Sequence, residues 1–223
     1  VGAMWARPEL SRRDRSLAVI SALAAQARED ELELHTQIGL RHGLEAKEIE
    51  EILHVAAYAG FPAAMAASRR VDAGLRAAAG VNELAAREPA AQKSDAERDQ
   101  DAADVLRTIA GAPGEIEPAG GLARMQARYG AVGVTAYRWA FGEIWSRPQL
   151  SRRDRSIVVI SILTWLGAAN ELAVHVPAGL RHGLTRVEIE EVIHHLSLYA
   201  GIPRAVEAIG VAREAFAKLD AFT

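Results

Sequence analysis

The chain reads as an all-α protein built from two fused copies of one helical unit, and three observations carry that reading. Residues 5–53 and 145–193 align without a gap, with 27 of 49 positions identical. Ala, Leu, Arg and Glu dominate and β-branched runs stay short, which is the composition of good helix formers. Gly and Pro fall at regular stops between the apolar periodic stretches. A duplication this clear directs attention to the residues that both copies carry.

In the first copy Ser11 is placed to cap a helix running to about Ala27. A second helix covers Asp30 to His42 and ends at Gly43, a left-handed C-cap. A third runs from Ala46 to Ala59, stopped by Gly60, and Pro62 opens a fourth that ends near Ala79. The second copy repeats these at 151–166, 169–182, 185–200 and 203–219. Two further helices, over 121–130 and 134–146, precede it and have no counterpart in the first copy. The implied organisation is a first repeat over 1–81, a connector over 82–120 with one helix near 96–110, and a second repeat over 121–223. At one place the copies fall out of register. His54-Val55-Ala56-Ala57-Tyr58 is one residue shorter than His194-His195-Leu196-Ser197-Leu198-Tyr199. Counted back from the tyrosines, His54 pairs with His195, and the third helix of the first copy is the shortened element.

Half of the 223 residues are hydrophobic, enough for an ordered core. A formal net charge of -3 gives no electrostatic reason to expect nucleic acid or an anionic membrane as partner. No apolar run approaches the roughly 18 residues that span a bilayer. The opening residues show no signal-peptide pattern, and Val1 reads as a trimmed start. Cysteine is absent, which excludes disulfides, thiol redox catalysis and thiolate metal sites and fits a cytoplasmic location.

All seven histidines lie in the repeats. Glu31 and His35, like Glu171 and His175, are four residues apart and share a helix face. A carboxylate beside an imidazole stabilises the imidazolium and fixes its tautomer, as a general acid near neutral pH requires. The plainer alternative is a surface pair. His54 and His195 sit mid-helix among apolar neighbours, as pocket residues or as buried hydrogen-bonding ones. His42 and His182 precede a terminating glycine, where a cation favours the helix end. Arg12, Arg13 and Arg15, with Arg152, Arg153 and Arg155, either capture a substrate carboxylate or pair with acids such as Glu48, Glu50 and Glu51; ion pairing is favoured. Trp5 and Trp145 read as packing anchors, with a pocket wall as the alternative.

Leu-Ser-x-Arg-Asp-Arg-Ser, Glu-Leu-x-x-His, the Gly-Leu pair, Glu-Ile-x-Glu-Val/Ile and Tyr-Ala-Gly-x-Pro together resemble the carboxymuconolactone decarboxylase family, which shares its helical fold with the alkylhydroperoxidase-D-like proteins. The resemblance covers both repeats, most closely over 141–210. It implies a tandem duplicated helical bundle of that type. Where the peroxidase branch carries Cys-x-x-Cys before its histidine, this chain has Arg28 and Glu31 in one repeat and Ala168 and Glu171 in the other. The thiol chemistry is gone, and the Glu/His pair remains as in the decarboxylase branch.

The resemblance thus implies an enzyme without cofactor or metal, a small-molecule substrate, and a homo-oligomer, with a trimer of two-repeat chains favoured. The expected reaction is decarboxylation of a carboxylated lactone such as γ-carboxymuconolactone, or of a related enolisable acid. His175 is the expected proton donor, with Glu171 setting its charge and His195 polarising the carbonyl. Glu31, His35 and His54 form the corresponding weaker set. Trp145, Arg155 and Tyr199, with Trp5 and Tyr58, are expected on the substrate. A non-catalytic ligand-binding protein of the same fold, a natural-product tailoring enzyme, and a metal site at Glu171, His175 and His195 are the alternatives.

Overall fold

The computed structural model describes residues 2–84, 91–111 and 118–221. The first repeat supplies α1 (Gly2–Trp5), α2 (Arg12–Gln26), α3 (Glu29–Arg41), α4 (Ala46–Ala56) and α5 (Phe61–Ala79). Next come α6 (Asp95–Ala110), α7 (Pro118–Thr135) and a π-helix over Ala136–Ile144. The second repeat supplies α8 (Arg152–Leu166), α9 (Ala169–Arg181), α10 (Arg186–Leu196) and α11 (Ile202–Asp220). Among the described residues there is no strand, so the all-α expectation holds.

The helix starts follow from local chemistry. The hydroxyls of Ser11 and Ser151 accept from the Asp14 and Asp154 amides and satisfy donors that a helix start leaves open. Ser94 and Thr185 form full capping boxes with Glu97 and Glu188. The third helix of each repeat is shorter than the sequence suggests. α4 and α10 end at Ala56 and Leu196, and tighter turns carry the chain on to Gly60 and Gly201.

Those two helices also correct the placement of the missing residue. Both hold 11 residues at a constant offset, so the first repeat's helix has lost nothing. The deletion lies in the turn that follows. His54 therefore matches His194, and the residue matching His195 is Val55.

The chain forms two compact units, Val1–Ala85 with Gln149–Thr223, and Ala86–Pro148. The repeats thus share a core, and the sequence-drawn boundaries at 81 and 121 follow the repeat rather than these units. In the larger unit α2 and α8 pack on each other, and every residue of Asp14–Ala25 and Asp154–Thr164 is buried. α3, α4 and α5 pack on α2, while α9, α10 and α11 pack on α8. α10 also reaches α2, and α4 also reaches α8. That crossing puts residues of one repeat beside those of the other.

In the smaller unit α6 packs on the π-helix. Arg98 bonds Glu143 at 3.0 Å and lies 4.5 Å over the Trp139 ring, while Arg138 bonds Asp99 at 2.8 Å. The approach needs Gly142, because a Cβ there would sit 2.2 Å from the Arg98 carbonyl oxygen. Among the described residues no helix is long and apolar enough to cross a membrane.

Candidate active site

The arginines after each helix cap are committed mostly to ion pairs across the pseudo-two-fold. Arg13 bonds Asp154 at 2.9 Å and Arg153 bonds Asp14 at 2.9 Å, each also holding the glutamate of its own repeat's third helix, Glu48 or Glu188. Deeper in, Arg15 of α2 bonds Glu191 of α10 at 2.8 Å, and Arg155 of α8 bonds Glu51 of α4 at 2.9 Å. Both guanidiniums are 0% exposed. Arg155, expected on the substrate, is therefore enclosed with Glu51.

Around Arg15 the network is dense. Its Nη2 donates to the Arg7 carbonyl oxygen at 2.8 Å, and Arg7 Nε reaches both Glu191 oxygens at 2.9 Å. Burial pushes the Glu191 carboxyl up, but hydrogen bonds from Arg7, Arg15 and His194 outweigh it and hold it below its ordinary value. Arg15 Nη1 also lies 3.1 Å from His195 Nδ1. A guanidinium can only donate, so Nδ1 accepts and the neutral His195 ring carries its proton on Nε2. That Nε2 is buried with no hydrogen-bond partner.

Three rings from both repeats gather around His195. Trp5 meets His195 edge-on at 4.7 Å between centroids and stacks on His35 at 6.0 Å. Tyr199 lies 5.4 Å from His35 and 5.8 Å from His195. Trp5 Nε1 donates to Tyr199 Oη at 3.2 Å, which leaves the phenolic O–H free to donate onward. Burial raises the Tyr199 pKa against the opposing Trp5 hydrogen bond, so the phenol stays protonated.

Both imidazoles are neutral near pH 7. Burial lowers His35 to about 4, outweighing the upward pull of Glu31. Burial and then the Arg15 charge lower His195 to about 4. The Glu/His pair was expected to favour a standing imidazolium; desolvation wins instead because Glu31 is itself exposed and solvated. His42, expected as a helix-end cation, is likewise lowered by burial, then by Arg12 and Arg41, and its Nδ1 pairs with Ser16 Oγ at 2.8 Å.

Trp5, His35, Ile38, His42 and Tyr199 line a recess of about 970 Å³ that opens to solvent, with Arg12 and Arg41 at its mouth. His35, Ile38 and His42 recur at helical spacing on one face of α3, so the sequence did carry this signal. His195 lies deeper, with 0% exposure, behind Trp5 and Tyr199.

The other expected residues are placed differently. His175 is buried and lowered to about 4 by burial and then by His182, whereas Glu171 is exposed. His54 is exposed, as is its counterpart His194, while Val55 is 0% exposed where the other repeat has His195. Tyr58 is half-buried after α4, and Trp145 is buried just beyond the π-helix. The structure thus pairs His35 with His195 across the repeats; it does not give each repeat its own set. Among the described residues no three His, Asp or Glu side chains converge as metal ligands. Sequence reasoning did not single out Glu191, Arg7 or Arg41, whose importance depends on partners in the opposite repeat or on the shape of the recess.

Comparison with known proteins adds an independent line. The family model described as the carboxymuconolactone decarboxylase family matches residues 2–73 and 134–214. A 4-carboxymuconolactone decarboxylase of Acinetobacter baylyi is 46% identical over 82 residues, covering 37% of this chain and 61% of that protein. A nitrosuccinic acid decarboxylase of Metarhizium robertsii is 34% identical over 76 residues, covering 34% of this chain and 53% of that protein. An uncharacterized 15.0 kDa protein of Paracoccus denitrificans is 32% identical over 82 residues, covering 36% of this chain and 61% of that protein. The matches therefore span between half and three fifths of these relatives.

Proposed function

Because the chain belongs to the carboxymuconolactone decarboxylase family, we propose that it is a cofactor-independent carboxy-lyase acting on a carboxylated lactone such as γ-carboxymuconolactone, or on a related enolisable acid. The observation that carries the reading is the meeting of His35, Trp5 and Tyr199 from both repeats at one recess, with His195 in ring contact with Trp5 and Tyr199. Two relatives named as decarboxylases support the reaction class.

The chemistry follows from the protonation states. A substrate carboxylate entering among desolvated rings meets two neutral imidazoles rather than a preformed ion pair. Its charge raises the His35 pKa, and the ring takes a proton from solvent. Water exclusion weakens the hold of solvent on the carboxylate and favours departure of CO₂. The electron pair of the broken C–C bond passes into the conjugated carbonyl, giving an enolate. The Tyr199 O–H stabilises that oxygen, and His195 Nε2–H adds a second donor once the Trp5 indole, held to Tyr199 by one hydrogen bond, swings aside. His35 then gives its proton to carbon, and the balance is carboxylate plus one proton to product plus CO₂. Arg15 is a positioning residue that fixes which His195 nitrogen donates.

On this reading each chain has one working site, because Val55 stands where a second site would need an imidazole. The test is steady-state turnover of γ-carboxymuconolactone by single variants. His35→Ala and His195→Ala are expected to lose at least about 100-fold in kcat, and His175→Ala to stay within a few-fold of wild type. A His35→Ala variant with wild-type kcat would remove the proposed proton donor.

A further inference from the structure

The second repeat holds a small cleft that shares no residue with the recess and is built from side chains the first repeat does not carry. It lies in the larger unit, where the end of α8, the start of α9 and α11 pack together. Its volume is about 170 Å³, and Thr164, Gly167, Ala169, Leu172, Arg204 and Glu207 line it. Thr164 is 1% exposed, and its hydroxyl has no hydrogen-bond partner. A buried hydroxyl left open costs stability unless a ligand satisfies it. Among the described residues the Arg204 guanidinium makes no hydrogen bond, and its ion pair with the half-exposed Glu207 is a loose 3.9 Å. α9 begins at the cleft, and no side chain caps its first amides.

The first copy differs at each of these places. Ala24, Ala27, Ala63 and Ala66 stand where Thr164, Gly167, Arg204 and Glu207 do, the last two counted past the one-residue deletion. Gly167 and Arg204 belong together. A Cβ on Gly167 would overlap Arg204 Nη1, whereas Ala27 adopts the same left-handed conformation with its Cβ in place. The guanidinium, not the turn, therefore requires the glycine. The first copy also opens its helix with Glu29, Asp30 and Glu31, while α9 opens with Ala169, Asn170 and Glu171. Two carboxylates that would complement the positive end of the helix are missing.

We propose that this cleft binds one small monovalent anion, of the class of chloride, bromide or nitrate. The Thr164 O–H, an Arg204 N–H and the first-turn amides of α9 donate to it, and its charge replaces the carboxylates that α9 lacks. The volume and the apolar wall at Leu172 suit a compact, weakly hydrated ion, and Glu207 repels multivalent anions. The ion ties the start of α9 to α11, so its effect falls on stability.

Two measurements test the site without any substrate. The first compares Tm in sodium chloride with Tm in sodium gluconate at matched ionic strength, gluconate being too bulky to enter. Thr164→Val keeps the side-chain shape and removes the hydroxyl, and Arg204→Ala installs the residue of the first copy, so both variants should fold. With chloride at about 30 times its Kd, the chloride-minus-gluconate shift should be about 4 °C larger in wild type than in either variant. The second measurement is anomalous diffraction from crystals soaked in sodium bromide, which should place a peak in the cleft beside Thr164 Oγ1. Shifts equal in all three proteins, or a cleft that holds ordered water and no bromide, overturn the site. A bromide peak with equal shifts means binding at crystal concentration only, and overturns it as well.

Discussion

At the scale of single residues, protonation is set by what each polar atom faces. Arg15 donates to Glu191 and to His195 Nδ1, which puts the histidine proton on Nε2. Tyr199 accepts from Trp5, and its own proton is left to donate. Tyr199→Phe keeps the ring packing and removes that donor. It should lower kcat by about 10- to 100-fold with a smaller change in KM, read from steady-state kinetics on γ-carboxymuconolactone. None of this was legible in the sequence. The Glu-Leu-x-x-His spacing brought His35 forward, but which acid or base faces an imidazole depends on the opposite repeat. Matching His54 to His195 by counting from the tyrosines failed because the missing residue lies in a turn, where loss costs no packing, and not in α4.

Helices were far more readable, because their signals are local. Ser11, Ser151, Gly43, Gly183 and the Gly-x-Pro stops placed the repeat helices to within a few residues of α2–α5 and α8–α11. The connector helix expected near 96–110 is α6, Asp95–Ala110. The leading helices expected at 121–130 and 134–146 are α7, broken at Gly130 by φ 60 and ψ −141, and the π-helix. Helix-to-helix pairing was not readable, since either partner of α2 would satisfy the same apolar pattern. The buried links between repeats now give that pairing an energetic test. Glu51→Ala takes from Arg155 a carboxylate in an almost water-free site. It should cost about 3–5 kcal/mol in denaturant unfolding, and a loss below about 1 kcal/mol would mean that water reaches the pair.

For the whole molecule, the burial of histidines makes acid the weak point. His35, His175, His182 and His195 are each lowered to about 4 by burial. The unfolded chain binds protons at these residues near pH 6.5, before the folded one does. Their stabilising contribution is full above about 6.5 and is lost as pH falls toward 4, at up to about 1.4 kcal/mol per pH unit for each histidine. Calorimetric Tm should therefore drop steeply between pH 6.5 and 4.5 and change little between 7 and 8. A flat profile through the acid range would show that these rings are solvated.

Valine at position 55 has an evolutionary corollary. A gene that encodes a single copy writes every substitution into both halves of a symmetric pair, so neither half can change alone. Joining two copies in one reading frame lifts that constraint. One half can then carry an aliphatic side chain where its twin carries an imidazole, as Val55 and His195 do in the two copies of this chain.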